Sequence, residues 1–210
     1  ALDGMRHLFD FLDPQSFDTY EYHLTDIVSI DDQSAFVISF RQKQWITEPL
    51  MQGDIYINVD NYSVVLAEFE VNPLYVDQTG ESFISRLPRE FSMKPEYVRY
   101  RARYRNVDGR YYLAHVRGDL GFTARGRKKV FSSRFNVFFE LAITEHRTEN
   151  VARFDHEELA PVHSVFSRTI DGYDTRFWKD FDFLKPEEDL VEALEKLKVR
   201  LGEFAGQQEP

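Results

Sequence analysis

The chain has 210 residues, with 26 lysines and arginines against 36 aspartates and glutamates, a formal charge of −10 and no cysteine. Hydrophobic residues make up 42%, mean hydropathy is −0.48, and no stretch approaches the roughly 18 unbroken apolar residues of a membrane-spanning helix. Disulfide frameworks, cysteine-ligated metals and thiol chemistry are thereby excluded, while the compartment stays open. The length predicts one domain over residues 1–210 with a flexible tail from about 205. No basic, then apolar, then small-residue succession follows Ala1, so no signal peptide is expected there.

Met5, Leu8, Phe9 and Leu12 stand at helical spacing and predict a short helix over residues 4–12, stopped by Pro14. β-Branched and aromatic residues over 20–30 and 35–41 flank Asp31, Asp32, Gln33 and Ser34, which predicts a hairpin. A second hairpin joins Ile55, Ile57 and Val59 to Tyr62, Val64 and Leu66 through Asp60 and Asn61. Its apolar faces agree in the register that sets Ile57 against Val64 and Ile55 against Leu66. Residues 72–95 contain Pro73, Gly80, Pro88 and Pro95 without a sustained period, the mark of a long connection with at most a helical turn.

Asp108-Gly109 lies between alternating runs over 97–106 and 111–116, the strongest local hairpin signal in the chain. Residues 130–147 predict a long strand with Phe135, Val137, Phe139, Leu141 and Ile143 on one face and Phe138 and Ala142 on the other, buried on both sides at its middle. A closing helix follows from Pro186, the acidic Glu187, Glu188 and Asp189, the stripe Leu190, Leu194, Leu197 and Leu201, and Gly202 at its end. With 19 Phe, 11 Tyr and 2 Trp mostly in alternating patterns, the fold class is mainly β, of the α+β kind.

Charge is divided unevenly. Residues 86–134 carry 14 lysines and arginines against Glu90, Glu96, Asp108 and Asp119, a block of +10 in a chain whose remainder carries −20. Within it Arg99, Arg101, Arg103 and Arg105 alternate with Val98, Tyr100, Ala102 and Tyr104, so four guanidinium groups project from one face of a strand. Such a row suits phosphate or carboxylate groups. It equally suits internal pairing with Glu68 and Glu70 of the preceding hairpin and Glu140 and Glu145 of the following strand, and that pairing is the expected outcome. Nucleic acid is not an expected partner, because the net charge is negative and no recognition motif is present.

No motif brings chemistry with it. The six histidines are His7, His23, His115, His146, His156 and His163; His156-Glu157-Glu158-Leu159-Ala160 opens like a zinc-protease helix, but Ala160 takes the place of the second imidazole and Pro161 follows. No metal, cofactor or catalytic residue is therefore expected. Asp31 and Asp32 read as turn residues, Asn61-Tyr62-Ser63 as a hairpin turn rather than a glycosylation acceptor, and Phe177-Trp178 as an anchor for the loop before the last helix. Gly118, Gly121 and Gly126 surround no nucleophile elbow or phosphate loop.

Three stretches, Gly53-Asp54-Ile55-Tyr56-Ile57-Asn58, Asp108-Gly109-Arg110-Tyr111-Tyr112-Leu113, and Phe177-Trp178-Lys179-Asp180 leading to Pro186-Glu187-Glu188, together resemble the C-terminal region of Bacteroidota envelope proteins labelled "carboxypeptidase-like regulatory domain-containing". That label refers to a separate N-terminal β-sandwich and implies no peptidase activity. The first stretch is also similar to the half-barrels of lipoprotein-carrier and lipoprotein-sorting proteins. The resemblance implies a curved antiparallel sheet or half-barrel with helices across its concave side, and a periplasmic or outer-membrane location. A half-barrel with Phe and Tyr on its inner face leaves an apolar cavity suited to an acyl chain, so with the family likeness the chain reads as a non-enzymatic module that binds a lipid-like or lipoprotein ligand, Phe135 and Phe139 lining the cavity and the row Arg99, Arg101, Arg103 and Arg105 near its mouth meeting an anionic head group. A scaffold domain docking a protein or an anionic envelope polymer through the basic strand face is the alternative, and a hydrolase the third reading.

Overall fold

A computed structural model describes residues 9–83, 89–126, 131–153 and 155, and the chain divides into two compact units, Ala1–Ile143 and Thr144–Pro210. The first unit is built on seven strands: β1 (Tyr20–Ile30), β2 (Gln33–Gln42), β3 (Met51–Asn58), β4 (Val64–Val71), β5 (Phe91–Val107), β6 (Arg110–Gly126) and β7 (Ser132–Ala142). Each pairs antiparallel with its neighbours in sequence, giving one curved, unclosed sheet in the order β1-β2-β3-β4-β5-β6-β7. The mainly β curved sheet expected from the sequence is present. In the second unit the described residues form no helix or strand; Arg147 there pairs with Glu145 at 2.7 Å, which holds that carboxyl below its usual range. The expected C-terminal helix, the Phe177–Trp178 pair, His156 and His163 all lie outside the described residues.

Turn chemistry fixes the hairpins. Asp31 and Asp32 take φ of 50° and 62°, a two-residue turn whose left-handed backbone matches the twist of the flanking strands. Asp108 and Gly109, at 52° and 80°, repeat the device between β5 and β6. The β3–β4 loop departs from expectation: the positive φ falls on Tyr62 rather than on Asp60 or Asn61, and Asn58 Oδ1 organises the loop by accepting the N–H groups of Asp60 and Asn61 at 2.9 and 3.1 Å. Ile57 does face Val64, but a bulge beside it sets Ile55 against Ala67 instead of Leu66.

β5 begins at Phe91 and so includes Pro95, which the sequence placed in a connection. The ladder shifts register between Pro95 and Tyr97, and a proline with no N–H is tolerated at such a bulge. Between β4 and β5 the connection holds the 3₁₀ turn Val76–Thr79 and one helical turn, Gly80–Phe83. At the N-terminus the described part of the expected helix is a 3₁₀ turn, Asp10–Leu12, and Pro14 opens a second one, Pro14–Thr19, rather than ending the structure.

Register sorts the side chains onto two faces. On one, Tyr20, Phe40, Ile55, Ala67, Phe69, Val98, Ala102 and Val116 are buried. Over β1–β4 this face is covered by Phe11, whose ring stacks 4.1 Å from Phe40 and 5.1 Å from Phe9. The other face is charged.

Candidate functional site

The arginine row lies on the charged face, and most of it is matched by carboxylates. Arg99 Nε donates to Glu70 at 2.9 Å and Arg101 Nε to Glu68 at 2.6 Å, each across the β4–β5 ladder, where Glu70 faces Arg99 and Glu68 faces Arg101. Arg103 reaches Asp31, in the β1–β2 turn, at 2.5 Å. Arg105 is exposed near the end of the same strand. One strand further on, Arg117 bridges Asp119 at 2.8 Å and Glu140 at 3.4 Å, and His115 lies 3.8 Å from Glu140. Glu68 also accepts the Tyr56 hydroxyl at 2.9 Å; burial first, and then this bond, push that phenol up to about 12. Opposite charges face each other between β4 and β5 and between Arg117 and Glu140 of β6 and β7, as cross-strand pairing predicts, while Asp54 faces Glu68 and Arg101 faces Arg117. Among the described residues no group of three or more histidine or acidic side chains is placed to hold a metal.

Phe135 and Phe139 lie on the opposite face. Phe139 is set against Gly118, which is set against Tyr100, and Phe135 is set against Phe122. Tyr100 alternates with Arg99 and Arg101, so the guanidinium groups and the two phenylalanines project from opposite sides of the sheet. The site that the sequence reading assembled from both sets is thereby corrected: the two sets do not meet, and no head-group contact from the arginines reaches the phenylalanine side.

What the structure does bring together is an apolar row. Phe135, Val137, Phe139 and Leu141 are aligned along β7, opposite Phe122, Leu120, Gly118 and Val116 of β6. These four β7 side chains are between 36% and 52% exposed. Burial of β7 on both faces was expected; instead it is an edge strand in the sheet order, and Phe138, on the charged face, is covered only in part by Arg117, whose guanidinium sits 5.5 Å from its ring centre.

Two residues that sequence reasoning left without a role shape this row. Gly118 leaves the room that the Phe139 ring occupies, since a Cβ there would strike the ring, and Tyr100 closes the other side with its ring centre 6.4 Å from that of Phe139. Burial raises the Tyr100 phenol above its ordinary range. A glycine in the interior of a strand was the available signal, because such glycines mark the close approach of another group. Neither a family model, a curated protein nor a solved structure matches this chain.

Proposed function

We infer that this protein is a non-enzymatic cell-envelope module that takes up a lipid-like, chain-bearing ligand on the apolar face of β5–β7. The observation that carries the reading is the half-exposed row Phe135, Val137, Phe139 and Leu141, contiguous with the partly exposed Leu120 and Tyr100 and not covered by the aromatic plug of Phe9 and Phe11 that fills the same face over β1–β4. Contiguous apolar surface of this kind marks an interaction site, and burying it against an acyl chain gains about 25 cal/mol per Å². The envelope location rests on the resemblance of the Gly53–Asn58 and Asp108–Leu113 stretches. Recognition is by shape and apolar area, because the arginine row expected to meet a head group is on the other face, where Arg99, Arg101 and Arg103 have carboxylate partners.

Docking of an anionic polymer through the basic strand face is the weaker reading, since Glu70, Glu68 and Asp31 already hold Arg99, Arg101 and Arg103. Native mass spectrometry of gently purified protein, followed by organic extraction, tests the lipid reading. A defined extra mass that extracts as lipid, and that falls about tenfold in occupancy in a Val137→Asp variant, supports it. A clean mass, with no uptake of a fluorescent fatty acid by the wild-type protein, removes it.

A further inference from the structure

A concavity lies at the end of the sheet where β2 passes into β3 and β4 leaves for the 3₁₀ turn Val76–Thr79. It is an open pocket of about 420 Å³ between two loops. Its polar wall is made by Arg41, Gln42, Lys43, Gln44, Gln52 and Asn72: two cations, four amides and, among the lining residues, no carboxylate. Leu74 and Tyr75 contribute an apolar side.

The loops are pinned, so the concavity is preformed. Gln42 Nε2 donates to the carbonyls of Ile46 at 2.7 Å and Glu48 at 3.0 Å, which folds the β2–β3 loop back on its own strand. The Asn72 backbone N–H bonds the Leu50 carbonyl at 2.9 Å and its side chain accepts from the Leu74 N–H at 3.0 Å, joining the second loop to the first. Those bonds use both amide hydrogens of Gln42 and leave its Oε1 with no hydrogen-bond partner, in a side chain only 6% exposed. That oxygen is itself closed off from solvent, so Gln42 serves to hold the loop rather than to meet a ligand.

The cations are placed for an acid. Arg41 holds Glu21 at 3.1 Å with a guanidinium that has further N–H groups to offer. The Lys43 ammonium sits 5.5 Å from the ring centre of Trp45, which is 71% exposed and whose neighbours Gln44 and Ile46 both belong to the pocket wall.

We propose that this pocket binds a hydroxyl-rich ligand carrying a carboxylate, the chemistry of a uronic-acid residue in an acidic saccharide. Ligand hydroxyls exchange hydrogen bonds with the amides of Gln44, Gln52 and Asn72. The carboxylate is met by Arg41 and Lys43, and the C–H face of the sugar ring lies against Tyr75 and Leu74. The volume lies within the usual range for small-molecule sites and suits one or two sugar rings.

Calorimetric titration of the full chain with digalacturonate, beside neutral galactobiose and acetate, tests this assignment. Digalacturonate is expected to bind at least about tenfold more tightly than either of the others, because only it supplies both hydroxyls and a carboxylate. Lys43→Ala and Gln44→Ala, both outside the sheet, should each weaken it severalfold while the circular dichroism of the sheet is retained. Absence of binding at about 10 mM digalacturonate overturns the proposal. So does equal binding of acetate, or a digalacturonate affinity that neither variant moves.

Discussion

Arg103 on β5 binds both carboxylate oxygens of Asp31, 72 residues earlier in the chain, through one guanidinium nitrogen at 2.5 and 2.6 Å. Two strands, β3 and β4, separate the β2 end of that turn from β5 in the sheet order, so the contact requires the sheet to curl at this corner. The same corner is tied by the Tyr111 hydroxyl, which donates to Gln33 Oε1 at 3.2 Å, and by Asn58 Nδ2, which donates to the same oxygen at 2.8 Å. Both members of the ion pair are well exposed, which limits its coupling to below about 1 kcal/mol. A double-mutant cycle with Asp31→Asn and Arg103→Gln, read by urea unfolding, should give about 0.5 kcal/mol at low salt and nothing in about 1 M salt. Asparagine preserves the left-handed backbone of the turn, so the cycle isolates the charge. A coupling of zero at low salt would mean that the curl is held by the Gln33 bonds alone.

Phe11 is the most consequential side chain outside the sheet. It is 1% exposed and stacks on Phe40, with Phe9 and Phe69 at 5.1 Å on its other sides. The Tyr22 hydroxyl donates to its backbone carbonyl at 2.8 Å, so the 3₁₀ turn is anchored by one hydrogen bond and one ring. Phe11→Ala should cost about 3–5 kcal/mol and uncover Phe40 and Ile55. Chemical denaturation gives the loss, and binding of a hydrophobic dye by the folded variant gives the uncovered surface. A loss under about 1 kcal/mol would show that the plug contributes little to the fold.

How far the sequence could be read follows from the range of each interaction. The Asp31-Asp32 and Asp108-Gly109 turns were legible because a two-residue hairpin loop is a local event, decided by which residues tolerate positive φ. Pairing of Glu68 and Glu70 with Arg101 and Arg99 was legible because strand alternation and antiparallel order fix it. The β3–β4 register was misjudged by one position past Ile57, since a bulge leaves no mark in an alternating pattern. Pro95 falls in the connection expected over 72–95, yet it sits inside β5 at another bulge. The separation of Arg101 from Phe139 followed from alternation along β5 and β6 but needed the β6–β7 register, a non-local fact, before it could be drawn. The pocket beside Gln42 was invisible, because it is assembled from two loops about thirty residues apart with no shared motif.

Gly53 and Gly109 offer a controlled comparison. A Cβ on Gly53 would strike the Glu68 carbonyl and the Phe69 Cα, both backbone atoms of the paired strand, and Gly53 also takes φ 155°. Gly109 has φ 80° but open space around it. Gly53→Ala must therefore part β3 from β4, whereas Gly109→Ala only strains a turn. The expected losses are above about 2 kcal/mol and near 1 kcal/mol. Urea midpoints of the two variants decide the order, and equal midpoints would show that β4 yields freely at Phe69.

Alkaline stability should be set by buried tyrosines, Tyr20 and Tyr56 most strongly, with Tyr22 and Tyr100 also raised by burial. Burial, with smaller contributions from Asp10 and Tyr22, raises the Tyr20 phenol to about 12; burial and the bond to Glu68 raise Tyr56 to about 12. In the unfolded chain both titrate near 10, so between those values the unfolded state has released protons that the folded state still holds. The folded state then binds more protons than the unfolded one, and stability falls as pH rises. The contribution of these phenols is complete below about pH 10 and declines from there toward about pH 12. Tyr20→Phe removes one such proton and should flatten the decline; Tyr56→Phe should flatten it as well, at the expense of the hydrogen bond to Glu68. Ultraviolet titration of the tyrosinate band checks the premise directly: at least two phenols missing from the first wave and ionising only as the protein unfolds support it, whereas all tyrosines titrating together near pH 10 in folded protein would remove the basis for the alkaline slope.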